Sequence, residues 1–141
     1  MSIEEKQNSP IFQDSNSIEY PISEKEVSNF IKKSYKLGLP IELIGLGSKK
    51  KIGKPLQCAK NLNLSKLNGI IEYLPEELYI KVKAGTPIQD IEEKLKKNKQ
   101  QLAFEPIDFG NLLNGKTDYG TAAGQVSCNI SGPRRFKVGS V

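Results

Sequence analysis

Histidine and tryptophan are absent from this chain, methionine occurs once, and cysteine occurs twice, at Cys58 and Cys128. Without histidine there is no Ser-His nucleophile pair and no zinc site of the usual His-containing kinds, so no metal site is expected. Two cysteines are too few for a disulfide framework, and no basic-then-apolar leader opens the sequence, which points to a reducing cytoplasm. No uninterrupted apolar run approaches the roughly 20 residues needed to cross a bilayer. Any membrane association therefore falls to partner chains.

What is present is ordinary globular material. The 141 residues fit one compact domain, long enough to remove roughly two-thirds of the unfolded surface from water. The 21 basic and 16 acidic residues leave a net charge of +5. That balance favours anionic ligands but is too small and dispersed to argue for nucleic acid.

The first chemically informative stretch is Ile41-Glu42-Leu43-Ile44, a β-leaning apolar run, followed by Gly45-Leu46-Gly47-Ser48-Lys49-Lys50-Lys51-Ile52-Gly53. A loop of this composition can hold an anion: glycines let backbone N–H groups approach a phosphate, Ser48 offers a hydroxyl, and the lysines supply positive potential. It is neither of the better-known phosphate motifs. A Rossmann fingerprint needs a glycine where Lys50 stands and a helix directly after it, whereas Gly53-Lys54-Pro55 interrupts any helix. A Walker loop needs Ser or Thr after its Gly-Lys, where this chain has Pro55. A solvated, basic connection with no ligand is the competing reading of the loop alone.

Residues 1–22 are polar and aperiodic and read as an extended arm, with Ser17-Ile18-Glu19-Tyr20 able to add an edge strand. Ser23 and Glu26 form a capping box ahead of a helix with Val27, Phe30, Ile31 and Tyr35 as its inner stripe, and Gly38 and Pro40 stop it. A short strand is expected around Asn61–Leu64, then a turn at Leu67-Asn68-Gly69. Two strands follow, Ile70–Tyr73 and Tyr79–Ala84, paired as a hairpin around Pro75-Glu76-Glu77. Thr86 is expected to cap a second helix with Pro87 at its first position and Ile88, Ile91 and Leu95 facing inward. Its lysine-rich end reads as a solvated face suited to the helix dipole. Leu102-Ala103-Phe104 reads as a short buried strand and Asp108 to Tyr119 as a surface loop.

The stretch from Gly120 to Arg135 is dense in side chains no larger than Ser or Thr. Small residues permit close approach, either of a planar cofactor or of a second chain segment. Thr121 is placed to cap a short helix whose N–H groups point at an electron-rich ligand.

Four stretches together resemble the FAD-binding domain of the vanillyl-alcohol oxidase/p-cresol methylhydroxylase type, and within it the FAD-binding subunits of bacterial glycolate oxidases. They are Pro40 to Lys49, Leu78 to Pro87, Leu102 to Pro106, and Thr121 to Gly124 running on to Gly132-Pro133-Arg134-Arg135 and Gly139-Ser140-Val141. The resemblance covers residues 23–141 and implies an α+β fold: the first lobe of a two-lobed FAD-binding domain, a small mixed sheet flanked by helices, plus the start of the second lobe. By position, Gly45, Leu46, Gly47, Ser48 and Lys49 match the family's pyrophosphate loop. Thr121, Gly124, Ser127, Asn129 and Gly132 match a second cofactor-contacting stretch, and Pro106 a residue just before it. The family usually has two adjacent glycines where this chain has Ala123-Gly124, and a second proline where it has Ile107.

The resemblance further implies FAD as cofactor, a small 2-hydroxy acid such as glycolate as substrate, and a complex with a second flavin subunit and an iron–sulfur subunit. No catalytic acid or base is identified by spacing. The family's chain continues well past the position of Val141, so a C-terminally truncated domain, weak FAD affinity for the chain alone and dependence on a partner are expected. A D-lactate-type dehydrogenase domain and a non-catalytic assembly module remain the alternatives. The Arg134-Arg135 pair stands open as an anion ligand or an interface pair.

Overall fold

The computed structural model describes residues 17–139; the rest of the N-terminal arm, and Ser140 and Val141 of the C-terminal motif, lie outside the described residues. The chain opens with β1 (Ile18–Glu19), α1 (Glu24–Lys36) and β2 (Ile41–Ile44). Helix α1 starts where its cap predicts. Ser23 Oγ accepts the Glu26 N–H at 3.3 Å, and the Glu26 carboxylate accepts the Ile22 N–H at 2.9 Å, one residue earlier than in a standard capping box. Gly38, at φ +62°, ends it in the left-handed conformation. The expected inner stripe is only half realised: Val27 and Phe30 are partly buried, whereas Ile31 and Tyr35 are exposed.

Strand β3 (Lys60–Asn63) lies between β1 and β2 and runs parallel to both, with Ile18 and Glu42 each opposite Asn61. Parallel neighbours need a crossover of about a dozen residues or more. Here the crossover from β2 to β3 is the glycine- and lysine-rich loop itself. As the central strand, β3 is covered on both faces, so Leu62 and Asn61 are both buried.

The expected hairpin is present as β4 (Ile70–Leu74) and β5 (Tyr79–Val82), antiparallel, with Tyr73 opposite Ile80 and a bulge at Ile71. Tyr73, Ile80 and Val82 pack on α2 (Ile88–Lys96), whose Ile88, Ile91 and Leu95 form the buried apolar cluster. The alternation of β4 and β5 thus supplies one wall, and the helical stripe of α2 the other.

Three expectations are corrected. Thr86 does not cap α2: the N-cap is Pro87, and the buried Thr86 hydroxyl instead donates to the Lys83 carbonyl (2.7 Å) and accepts from the Gly69 N–H (3.0 Å). Leu102-Ala103-Phe104 forms no strand: Leu102 packs on the α2 cluster as irregular chain, and the Glu105 N–H donates to Ser131 O at 3.1 Å. The 108–119 stretch is not wholly loop but contains α3 (Phe109–Asn114), capped by Asp108 and ended by Gly115 at φ +69°. An Asx residue ahead of the helix and a glycine behind it are signals that could have revealed α3.

Two further helices complete the described chain, α4 (Ala122–Cys128) and α5 (Arg135–Val138). Residues 119–123 run antiparallel to 84–88, stitched by Ile88 N–H to Gly120 O (3.0 Å), Ala122 N–H to Thr86 O (2.8 Å) and Ala123 N–H to Ala84 O (3.1 Å). This seam carries the small-residue stretch to the glycine loop. Among the described residues, no helix is long and apolar enough to cross a membrane.

Candidate cofactor site

Where β2 ends, its glycine loop meets the start of α4 and the two enclose a cleft of about 470 Å³. That lies within the roughly 300–1,000 Å³ typical of small-molecule and cofactor sites. The approach of the two segments requires glycine on both sides. A Cβ on Gly45 would fall 2.6 Å from Thr121 Oγ1, and one on Gly120 would fall 2.5 Å from Ser48 Oγ. The small side chains of the 120–124 stretch are thus used for close packing of chain on chain, and the cleft lies beside that contact.

The loop presents the features an anion needs. Gly47 is left-handed at φ +82°, with open space where a Cβ would point. Among the described residues, the backbone N–H groups of Leu46, Gly47, Ser48 and Lys49 have no protein acceptor. Ser48 lines the cleft, is 5 % exposed, and its hydroxyl has no protein partner either. The Ser48 hydroxyl is open to the cleft, so water or a ligand entering the cleft can satisfy it. A phosphate oxygen accepting from Ser48 and the neighbouring N–H groups would do so.

Lys49 also lines the cleft, its ammonium 5.3 Å from the centre of the Phe109 ring. Lys50 and Glu42 line the cleft too and face each other, Nζ to Oε2 at 3.7 Å, with the Lys50 side chain still 56 % exposed. Of the two lysines that line the cleft, Lys49 is the one with no carboxylate partner among the described residues.

Helix α4 contributes differently from expectation. Thr121 does cap it, Oγ1 accepting the Gly124 N–H at 3.2 Å. Yet Ala122 and Ala123 donate to the Thr86 and Ala84 carbonyls, and the Gln125 N–H goes to Thr121 O at 3.0 Å. The first-turn donors are thus consumed by the protein. The helix start shapes the cleft wall with Ala123 and Gly124 and does not present free N–H groups to a ligand.

Of the residues singled out in the sequence, Gly45, Leu46, Gly47, Ser48, Lys49, Thr121, Gly124 and Ser127 come together around the cleft. Pro106, Asn129 and Gly132 do not line it. Asn129 is the left-handed residue ending α4, and Gly132, at φ +70°, lies against Glu105. Arg134 is likewise structural: its backbone N–H donates to Glu105 Oε2 at 3.1 Å, and its guanidinium faces the Gln101 side-chain amide, whose oxygen accepts from it at 3.1 Å once the amide is turned over. Arg135 stacks on Phe136 at 5.3 Å.

Several participants carried no sequence signal. Leu43, Leu64 and Ala84 give the cleft an apolar end, and Cys128 closes it from α4. Gln125 is fully buried behind the cleft, Nε2 donating to Ile107 O (3.0 Å) and Tyr119 O (2.6 Å). It closes the neck of the excursion that carries Phe109. Within that excursion, the Asp108 carboxylate accepts from the Asp118 and Asn111 N–H groups, both at 2.9 Å. Those two bonds, Asp118 first, hold the Asp108 pKa below its ordinary 3.8 against a small opposing effect of burial.

With this geometry in place, comparison with known proteins assigns the class. Residues 16–141 match the FAD binding domain family, so the chain belongs to that family and its cofactor is FAD. It is 35 % identical over 102 residues to glycolate oxidase subunit GlcE of Escherichia coli (strain K12), a match covering 72 % of this chain and 27 % of that protein. Two solved structures of alkyldihydroxyacetonephosphate synthase share the fold. One superposes with a TM-score of 0.63 at 19 % identity over 88 % of this chain and 24 % of its own. The other does so with a TM-score of 0.63 at 18 % identity, over 88 % and 22 %. The chain thus spans about a quarter of the length of these relatives. The free loop N–H groups, the Ser48 hydroxyl open to the cleft and the cleft-lining Lys49 are the donor set that a dinucleotide's diphosphate needs, so the residues present fit the cofactor.

Proposed function

We propose that this chain holds FAD within a 2-hydroxy-acid oxidoreductase of the glycolate oxidase (glycolate dehydrogenase) type. It would act in the cytoplasm with a second flavin subunit and an iron–sulfur subunit, reaching any membrane only through them. The diphosphate of FAD lies on the Gly45–Lys49 loop, with Thr121, Gly124 and Ser127 on the facing wall. The observation that carries this reading is the Ser48 hydroxyl, open to the cleft and set among loop N–H groups that, like it, have no protein partner among the described residues. Bound FAD supplies the redox chemistry, accepting a hydride equivalent from the hydroxy acid, while the chain binds and orients it. The relationship to the Escherichia coli glycolate oxidase subunit supports the choice of substrate class.

Calorimetric titration of the purified chain with FAD tests the cofactor site. Saturable binding is expected, and Gly47→Val should abolish it, because a β-branched residue cannot adopt the loop's left-handed backbone and its side chain would fill the open space over the loop. Absence of binding even in excess FAD would refute the reading. Dye reduction by the chain co-expressed with its partner subunits then tests the substrate. Faster turnover with glycolate than with D-lactate is expected, and the reverse order would move the assignment to a D-lactate-type dehydrogenase.

A further inference from the structure

The lysine that faces the cleft is held by an aromatic ring rather than by a carboxylate. Lys49 Nζ sits 5.3 Å from the Phe109 ring centre. It also lies beside Gly120 and Gly124, 3.4 and 3.8 Å from the positions their Cβ atoms would occupy. No carboxylate or other acceptor pairs with it among the described residues, whereas the adjacent Lys50 is paired with Glu42 at 3.7 Å.

The two arrangements have different consequences for a ligand. A lysine on a four-carbon stem is mobile unless something fixes it. A carboxylate would fix it but would neutralise the charge and occupy its donors. A ring face attracts the ammonium through its quadrupole and takes none of its N–H donors in a conventional hydrogen bond. The ring therefore orients the cation while leaving its charge and donors for an incoming anion.

The ring is itself held in place. Phe109 is the first residue of α3, directly after the cap Asp108, whose carboxylate ties both Asn111 and Asp118. Gly110 is buried against Asp118, its N–H donating to Asp118 O at 3.2 Å. Gln125 gathers both ends of the excursion through Ile107 O and Tyr119 O. Asp118 Oδ1 accepts the Gly120 N–H at 2.8 Å, joining the excursion to the cleft wall.

Resting on the reading of the cleft as a dinucleotide site, we propose that Phe109 is a positioning residue for Lys49, presenting its ammonium to the diphosphate of the cofactor. Phe109 does not line the cleft and does not touch the ligand; it acts through the lysine. The excursion at 107–119, which has no other part in the site, gains a role as the support of this ring.

The test compares the full chain with Phe109→Leu, Phe109→Tyr, Lys49→Met and the Phe109→Leu/Lys49→Met double variant. FAD and inorganic pyrophosphate serve as probes, titrated calorimetrically at low and high salt. Phe109→Leu should weaken both probes by about 3- to 10-fold, the scale of one cation–π contact. It should also flatten the salt dependence, while Phe109→Tyr should bind as the wild type does. In the Lys49→Met background, Phe109→Leu should cause no further loss. Wild-type affinity in Phe109→Leu would overturn the proposal, as would an equal loss from that change with and without Lys49, which would mark a purely structural role. If the wild type bound neither probe, the dinucleotide reading would fall together with this one. If the wild type bound and Phe109→Leu matched it, only this one would fall.

Discussion

The hydroxyl of Ser48 packs so closely on the Cα of Gly120 that a Cβ there would fall 2.5 Å from its oxygen. Gly120 is also left-handed, at φ +74°. Gly120→Ala therefore combines backbone strain with a clash against a buried side chain and should cost about 1–3 kcal/mol in denaturant unfolding. Relief of the clash displaces Ser48 toward the cleft, so FAD affinity should fall as well, by about tenfold for a site that loses one charge-assisted hydrogen bond. Ser48→Ala in the same chain should recover part of the stability by removing the oxygen. Strictly additive losses would show that the two positions are not coupled.

How far the sequence revealed this arrangement depends on the range of each interaction. Ser23, Gly38 and Thr121 act within a few residues of themselves, and their caps and stops stand where local rules place them. The glycine loop was visible because its composition is its function. The contact of Ser48 with Gly120 was not, because it depends on β3 entering between β1 and β2 and on the 84–88 seam. That seam also explains why the α4 N–H groups were misjudged: a helix start looks free until a neighbouring chain supplies carbonyls. Gln125 is the sharpest case. A glutamine among small polar residues reads as surface, yet it is fully buried.

Thr86 offers a direct test of the corrected role. Its hydroxyl joins Lys83 O and the Gly69 N–H in a nearly inaccessible position. Thr86→Ala strands the Gly69 N–H and should cost about 1–3 kcal/mol. Thr86→Ser should restore most of that, since it keeps the hydroxyl. Thr86→Asp, a good helix cap, should not, because a carboxylate cannot donate to Lys83 O. A stable Thr86→Asp variant in thermal melts would return the residue to a capping role.

Asp108 makes the 108–118 excursion acid-sensitive in a defined window. Its folded pKa lies below 3.8, lowered by the Asp118 and Asn111 N–H groups. A depressed carboxyl pKa stabilises the fold fully above the unfolded value and loses that contribution as pH falls through the folded one. The protection of the Asn111 and Asp118 amides against hydrogen exchange, taken relative to their intrinsic rates, should therefore hold until the pH is below 3.8 and then fall. Asp108→Asn keeps an acceptor oxygen without the charge, so its protection should lack this acid step. An identical step in both proteins would assign it to another carboxylate.

Gln125 joins Ile107 O and Tyr119 O through Nε2, and its buried Oε1 has no partner among the described residues. Gln125→Met keeps the length, removes the orphan acceptor and loses both donated bonds. The loss leaves two carbonyls short of a donor, so a net cost of about 1–3 kcal/mol is expected. Gln125→Glu should be worse near neutral pH, because a buried carboxylate would face two carbonyl oxygens. Burial raises the pKa of such a carboxyl, and its protonated form can donate one bond. The raised folded value means that the Glu variant is penalised above it and recovers as pH falls through it. Melting at about pH 5 and about pH 8 should thus show the deficit of Gln125→Glu relative to wild type shrinking at the lower pH, with Gln125→Met showing no such change. A deficit independent of pH would mean that the side chain at 125 leaves the neck when charged and that the two carbonyls find other donors.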